Sequence, residues 1–423
     1  MYIKRDLERP IKKYLSTPEI IAIVGARQVG KTTLLKHVQK KIKNSVFITL
    51  EDAEIRNLFN RDIKSFIELY VNPYRYIFID EFHYAKNGGQ SLKFIYDTVK
   101  GKKFFISGSS VLELTVSAVK YLVGRIFSFT LYPLNFQEYL SFKDSNLYNY
   151  YQKLNEKRLL EQVVVEKFYS LLEEFIIYGG YPRVVISKDK EEKEDVLRNI
   201  VNIYLLRDIR DILGLSEDYK ILNLIKALAL QIGNVISYQE LSTTVQQNFP
   251  LLKKYLNLLE KTYIAKLVNP FFTNKRTELV KNPKVYFYDT GLRNAVIRDF
   301  KKLDIRQDKG VLYENFIFGE LTKKNLTLKY WRTKSKAEVD FIMNDKIPVE
   351  VKSALLKPII GKSLFSFIQK YHPEDTFIFN ENILKEMRVK DTTVHFLYHF
   401  SHLREVKNKV EKEKRLSKNI VIE

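Results

Sequence analysis

Eight consecutive residues, Gly25-Ala26-Arg27-Gln28-Val29-Gly30-Lys31-Thr32, read G-x-x-x-x-G-K-T, and Thr33 follows them. The spacing suits phosphate. A glycine at each end admits a sharp turn and lets the backbone approach phosphate oxygens with no β-carbon in the way. The free N–H groups of such a loop, and of a helix that starts after it, form an anion-binding nest. Lys31 is expected to reach the β- and γ-phosphates, and the Thr32 hydroxyl to bind Mg2+. Some fifty residues on, the apolar run Tyr76-Ile77-Phe78-Ile79 ends in Asp80-Glu81. Asp80 there is expected to hold Mg2+ through water, and Glu81 to polarise the attacking water. Ser107 and Ser109 close a further apolar run. A hydroxyl at that place senses a γ-phosphate or belongs to an ordinary serine-rich turn. Arg125 is a candidate arginine finger, supplied in cis or by a neighbouring subunit, or else a solvated strand-edge arginine.

A second set stands in the last third of the chain. Asp340 precedes Glu350-Val351-Lys352 by ten residues, the pattern of a PD-(D/E)xK nuclease core. Side chains alternate along a strand, so Glu350 and Lys352 share one face. Across a hairpin turning at Asn344-Asp345, Asp340 would meet Glu350 and hold Mg2+ or Mn2+ with oxygen ligands. Lys352 would orient the attacking water and offset phosphate charge.

These residues need a scaffold to position them. Glu19–Val24 is a short β-branched run, as a buried parallel strand requires, and the helix-forming residues Leu34–Lys40 follow the loop. Residues 4–16 predict a helix, Ser45–Leu50 a strand, and Ala53–Tyr70 a helix. Strand–helix alternation through residue 131 predicts a parallel sheet with helices on both faces and nucleotide outside the carboxyl ends of its strands. The fold class expected is therefore α/β, built on a P-loop NTPase sheet.

Residues 135–215 read as a helical lid. Over 216–272, two helices and a strand (Tyr219–Ile232, Phe249–Glu260, Ile264–Val268) predict a winged helix, with Ser237 a helix cap and Lys253, Lys254 and Asn257 facing outward. The alternative is a structural module packed on the ATPase. Residues 273–400 form the nuclease-like domain, with a helix over Gly310–Lys324. The tail from 401 to 423 is highly charged.

The runs Gly25–Thr33, Asp80-Glu81, Ser107-Gly108-Ser109, Gly124-Arg125 and Leu131-Tyr132-Pro133-Leu134 together resemble the prokaryotic AAA+ ATPases with a C-terminal nuclease-like domain. Tyr178-Gly179-Gly180-Tyr181-Pro182 and Tyr204–Ile209 match as well. The resemblance covers nearly the whole chain. It implies ATP as nucleotide, assembly into homo-oligomers, and a place near the nucleotide for the Gly179-Gly180 turn. It also implies that Glu314, on the helix before the hairpin, completes the second metal shell.

The balance of 71 Lys and Arg against 50 Asp and Glu gives a net charge of +21. A chain that basic points to a polyanionic partner, DNA rather than RNA, or to a lysine-rich surface from heat adaptation. The absence of cysteine excludes disulfides and thiolate metal sites and fits a cytoplasmic protein. No apolar run approaches a membrane span, and the charged N-terminus is not a signal peptide. The leading expectation is an ATPase acting at nucleic acid, with a metal-dependent nuclease-like domain. The rival is a nucleotide-gated switch or scaffold whose nuclease-like module only binds.

Overall fold

The computed structural model describes residues 1–108, 121–153, 160–205 and 218–401. They divide into two compact units. The first comprises Met1–Leu134, Tyr181–Ile186 and Asn257–Ile264, and the second the remainder.

The first unit is an α/β P-loop NTPase fold. Five parallel strands, β1 (Ile20–Val24), β2 (Ser45–Thr49), β3 (Tyr76–Asp80), β4 (Lys103–Gly108) and β5 (Ile126–Thr130), lie in the order β2-β3-β4-β1-β5. Strands β1 and β4 are buried along their whole length, which is why they read as unbroken apolar runs, whereas the edge strands β2 and β5 are partly exposed. Helices α1 (Glu8–Lys13), α2 (Lys31–Gln39), α3 (Ala53–Arg61) and α4 (Gly88–Thr98) connect or precede them. The helix expected over residues 4–16 is thus confined to Glu8–Lys13. The long helix expected over 53–70 breaks at Asp62, which leaves helical geometry (φ −136°, ψ 76°). Its carboxylate accepts from Ser65 N–H, capping a new helix at the point where α3 ends.

In the second unit α5 (Gln162–Tyr178) ends at Gly179, whose φ is 75°. A β-carbon on Gly179 would stand 2.1 Å from Asp289 Oδ1, so no other residue fits. Helices α6 (Asp218–Leu230), α7 (Tyr238–Thr244) and α8 (Phe249–Lys261) follow along the chain, α8 belonging to the first unit from Asn257 onward. Ser237 caps α7 through Glu240 N–H, and Lys253, Lys254 and Asn257 are exposed on α8. Strand β6 (Ala265–Val268) pairs antiparallel with β7 (Lys284–Phe287), and α9 (Thr290–Ile297) leads on to α10 (Lys309–Lys323).

A C-terminal sheet domain completes this unit. Strands β8 (Leu328–Arg332), β9 (Glu338–Met343), β10 (Ile347–Val351), β11 (Asp375–Asn380), β12 (Lys385–Val389) and β13 (Thr392–Tyr398) form one mixed sheet, order β12-β13-β11-β10-β9-β8, with α11 (Lys362–Tyr371) between β10 and β11. The hairpin β9–β10 turns at Asn344 and Asp345, both at positive φ, where their short polar side chains are tolerated. Helix α11 buries Leu364, Phe367 and Ile368 against Trp331, Val339 and Ile378 of the sheet.

Candidate functional site

The loop Gly25–Gly30 leaves the carboxyl end of β1 and enters α2, whose N-cap is Gly30 at φ 95°. A β-carbon on Gly25 would meet the Leu131 carbonyl oxygen at 2.1 Å. Lys31 is buried, and its ammonium folds over the loop, donating to the carbonyls of Gly25 (3.0 Å) and Ala26 (2.8 Å). Ala26 and Val29 are buried, Arg27 and Gln28 half-buried, and Thr33 faces solvent.

Strand register brings the acidic half of the site to this loop. β4 lies between β1 and β3, with Ile23 opposite Ser107 and Ile79 opposite Ile106. Asp80 ends β3 beside Ser107. Thr32 Oγ1 donates to Asp80 Oδ2 at 2.7 Å, and Ser107 Oγ donates to Asp80 Oδ1. The two hydroxyls orient a buried carboxylate beside the loop, a donor set that fits Mg2+ held by Thr32 and Asp80. Bound there, the ion would offset the charge of the nucleotide phosphates.

Glu81 adopts a left-handed conformation (φ 50°, ψ 44°), costly for a non-glycine residue and characteristic of functional positions. Its Oε2 lies 3.0 Å from His83 Nδ1. Burial pushes the Glu81 carboxyl up, but His83, Lys31 and Arg27 outweigh it and hold the group below the usual range. Glu81 is therefore held ionised, as a group that polarises water must be.

Arg125 is not brought to the loop. It precedes β5 at the opposite end of the sheet, where its carbonyl accepts from Ile20 N–H, and its guanidinium pairs with Asp97 at 3.1 Å. Ser109 lies outside the described residues. One positioning residue went unread in the sequence. Arg5, buried, donates from Nη1 to the Val29 carbonyl (2.8 Å) and from Nη2 to the Tyr132 carbonyl (2.6 Å), fastening the loop from the N-terminal segment. Nothing in the run Lys4-Arg5-Asp6 marks that role. Pro182 lies against Gly30, its Cγ 3.8 Å from where a β-carbon there would stand. Pro182 belongs to the run that the resemblance sets near the nucleotide.

The second expected site is laid out differently from its expectation. Glu350 and Lys352 share a face of the chain after β9, and Lys352 Nζ pairs with Glu350 Oε1 at 2.6 Å. Asp340 Oδ2 accepts from Val351 N–H at 2.8 Å. Glu314, on α10, turns to a residue that the sequence reading passed over. Lys284, 1% exposed at the start of β7, sends its ammonium between Glu314 Oε1 (3.3 Å) and Glu338 Oε1 (2.6 Å). Tyr286 OH also donates to Glu314 Oε1. Burial and the Asp340 charge push the Glu314 carboxyl up to about 7. Burial also raises Asp340 and Glu350, Glu350 with a further contribution from Asp340. The expected metal triad of Glu314, Asp340 and Glu350 finds no support in this arrangement. Among the described residues no three His, Cys, Asp or Glu side chains form a group that holds a metal ion. Each carboxylate instead gives an oxygen to an ammonium or an N–H group.

Comparison with known families fits this geometry. Residues 17–140 match the family described as an AAA domain. Residues 169–304 and 309–399 match two domains of unknown function, DUF8612 and DUF4143. An uncharacterized protein of Methanocaldococcus jannaschii is 27% identical over 354 residues, covering 81% of this chain and 75% of that protein. One of Haemophilus influenzae is 26% identical over 364 residues, covering 81% and 84%. Among solved structures, the ADP form of the Aeropyrum pernix ORC2 protein is 13% identical and covers 71% of this chain and 96% of that one, at a TM-score of 0.34. No helix among the described residues is long and apolar enough to cross a membrane.

Proposed function

We propose that the chain binds ATP with Mg2+ at the loop Gly25–Thr33 and hydrolyses it, and that the turnover serves action at nucleic acid. The observation that carries the reading is Asp80 held by Thr32 on one oxygen and Ser107 on the other, with an ionised Glu81 one residue away. In this reading Lys31 exchanges its loop carbonyls for phosphate oxygens, Thr32 and Asp80 hold the cation, and Glu81 takes a proton from the attacking water. Arginine-finger chemistry by Arg125 falls to a neighbouring subunit of a homo-oligomer, since its own loop is out of reach. Hydrolysis measured on purified protein should fall to background in Lys31→Ala; turnover retained in that variant overturns the reading.

The net charge of +21 supports DNA as the partner. Three helices followed by the β6–β7 ribbon support a winged helix. The order α10, β8, β9, β10, α11, β11 supports a nuclease-like C-terminal module.

A further inference from the structure

The carboxylates of the C-terminal module already surround a cation, and that cation is covalently part of the chain. Lys284 is almost wholly buried, yet it sits on β7, outside the hairpin that carries the D…E-x-K pattern. Its ammonium lies 2.6 Å from Glu338 and 3.3 Å from Glu314, and Asp340 adds to the charge that holds it. Tyr286, two residues along the same strand, supplies another donor to Glu314. A buried ammonium costs several kcal/mol unless paired, and here it is paired at least twice.

A divalent ion needs a different arrangement. Mg2+ draws carboxylate oxygens to about 2.1 Å around a common centre. Lys284 keeps Glu314 and Glu338 at hydrogen-bond distance from a nitrogen instead. Asp340 is turned toward Val351 N–H and Glu350 toward Lys352, which leaves Glu350 Oε2 as an oxygen of the set with no hydrogen-bond partner. Among the described residues no three of these carboxylates group so as to hold a metal ion.

We infer that Lys284 takes the place of the divalent cation in this carboxylate cluster, so that the module is built to hold its shape, and to bind, without a metal. The inference does not rest on ATP hydrolysis in the first unit. The test uses nucleotide-free full-length protein, so loss of the ATPase reading leaves it intact. Bound Mn2+ is counted by the loss of the free-ion paramagnetic resonance signal, in the wild type, Asp340→Asn, Lys284→Met and the double variant. Ions held near Thr32 and Asp80 contribute equally to all four. Wild type and Asp340→Asn should bind the same amount. Lys284→Met, volume-matched but neutral, should gain about one ion per chain, lost again in the double variant. Mn2+ bound by the wild type and released by Asp340→Asn overturns the inference, as does a folded Lys284→Met that gains none. If Lys284→Met fails to fold, the comparison of wild type with Asp340→Asn decides alone.

Discussion

At the scale of single residues, Ser107 and His399 show how much rests on one polar atom. Ser107 is wholly buried and donates a hydrogen bond to Asp80. Ser107→Ala leaves that carboxylate oxygen without its donor while the loop and Lys31 stay untouched. Partners that orient a metal ligand are worth roughly 10–100-fold. Steady-state ATPase kinetics should therefore show kcat falling by about that factor while KM changes by less than about threefold. His399 stacks on Tyr313 with ring centroids 4.0 Å apart, and its Nε2 lies 2.9 Å from the Lys352 carbonyl. Burial pushes its imidazole down to about 3, whereas the unfolded chain titrates near 6.5. Below that value the unfolded state takes up the proton and the folded state does not. Stability is thus complete above about pH 6.5 and declines as pH falls toward 3. Between pH 6 and 5 the wild type should lose on the order of 1 kcal/mol more than His399→Gln in denaturant titrations. Parallel curves would contradict a buried neutral ring.

At the scale of elements, the loop between β1 and α2 is fastened from outside. Arg5 spans from the Val29 carbonyl to the Tyr132 carbonyl, joining positions 24 and 127 residues away from it. Losing a buried charged donor costs roughly 1–3 kcal/mol. Arg5→Ala should weaken binding of a fluorescent ATP analogue roughly tenfold, with Arg5→Lys between it and the wild type. Unchanged affinity would make Arg5 a mere packing residue. Sequence legibility follows the same line. The loop, Asp80 and Glu81 were readable because each is a local run whose chemistry depends on neighbours along the chain. Arg5 and Lys284 were not, because their partners are brought in by packing. For Arg125 the sequence left cis, neighbouring-subunit and strand-edge readings open, because strand direction, invisible in its flanking residues, sets it at the end of β5 away from its own loop. The helix over 53–70 failed at Asp62, where an N-capping side chain outcompeted an uninterrupted apolar stripe.

At the scale of the whole molecule, a charge of +21 is either a device for binding polyanions or a surface habit. Salt separates the two. Counterion release makes duplex DNA affinity fall steeply, by roughly a thousandfold between 50 and 200 mM salt when some six phosphates are contacted. Fluorescence anisotropy with a short duplex should show at least a tenfold loss over that range. Absence of binding at 50 mM would assign the lysines to heat adaptation instead.

The strand order carries one more consequence, for the growing polypeptide. β1 and β3 share no hydrogen bond, because β4 lies between them. A nascent chain that has just emerged past Glu81 already holds both signature runs, yet lacks the strand that bridges β1 and β3. Asp80 gains its Ser107 partner only when Lys103–Gly108 takes its place between these two strands. Truncated translation products ending before Lys103 should carry every signature of a nucleotide-binding protein and capture no nucleotide.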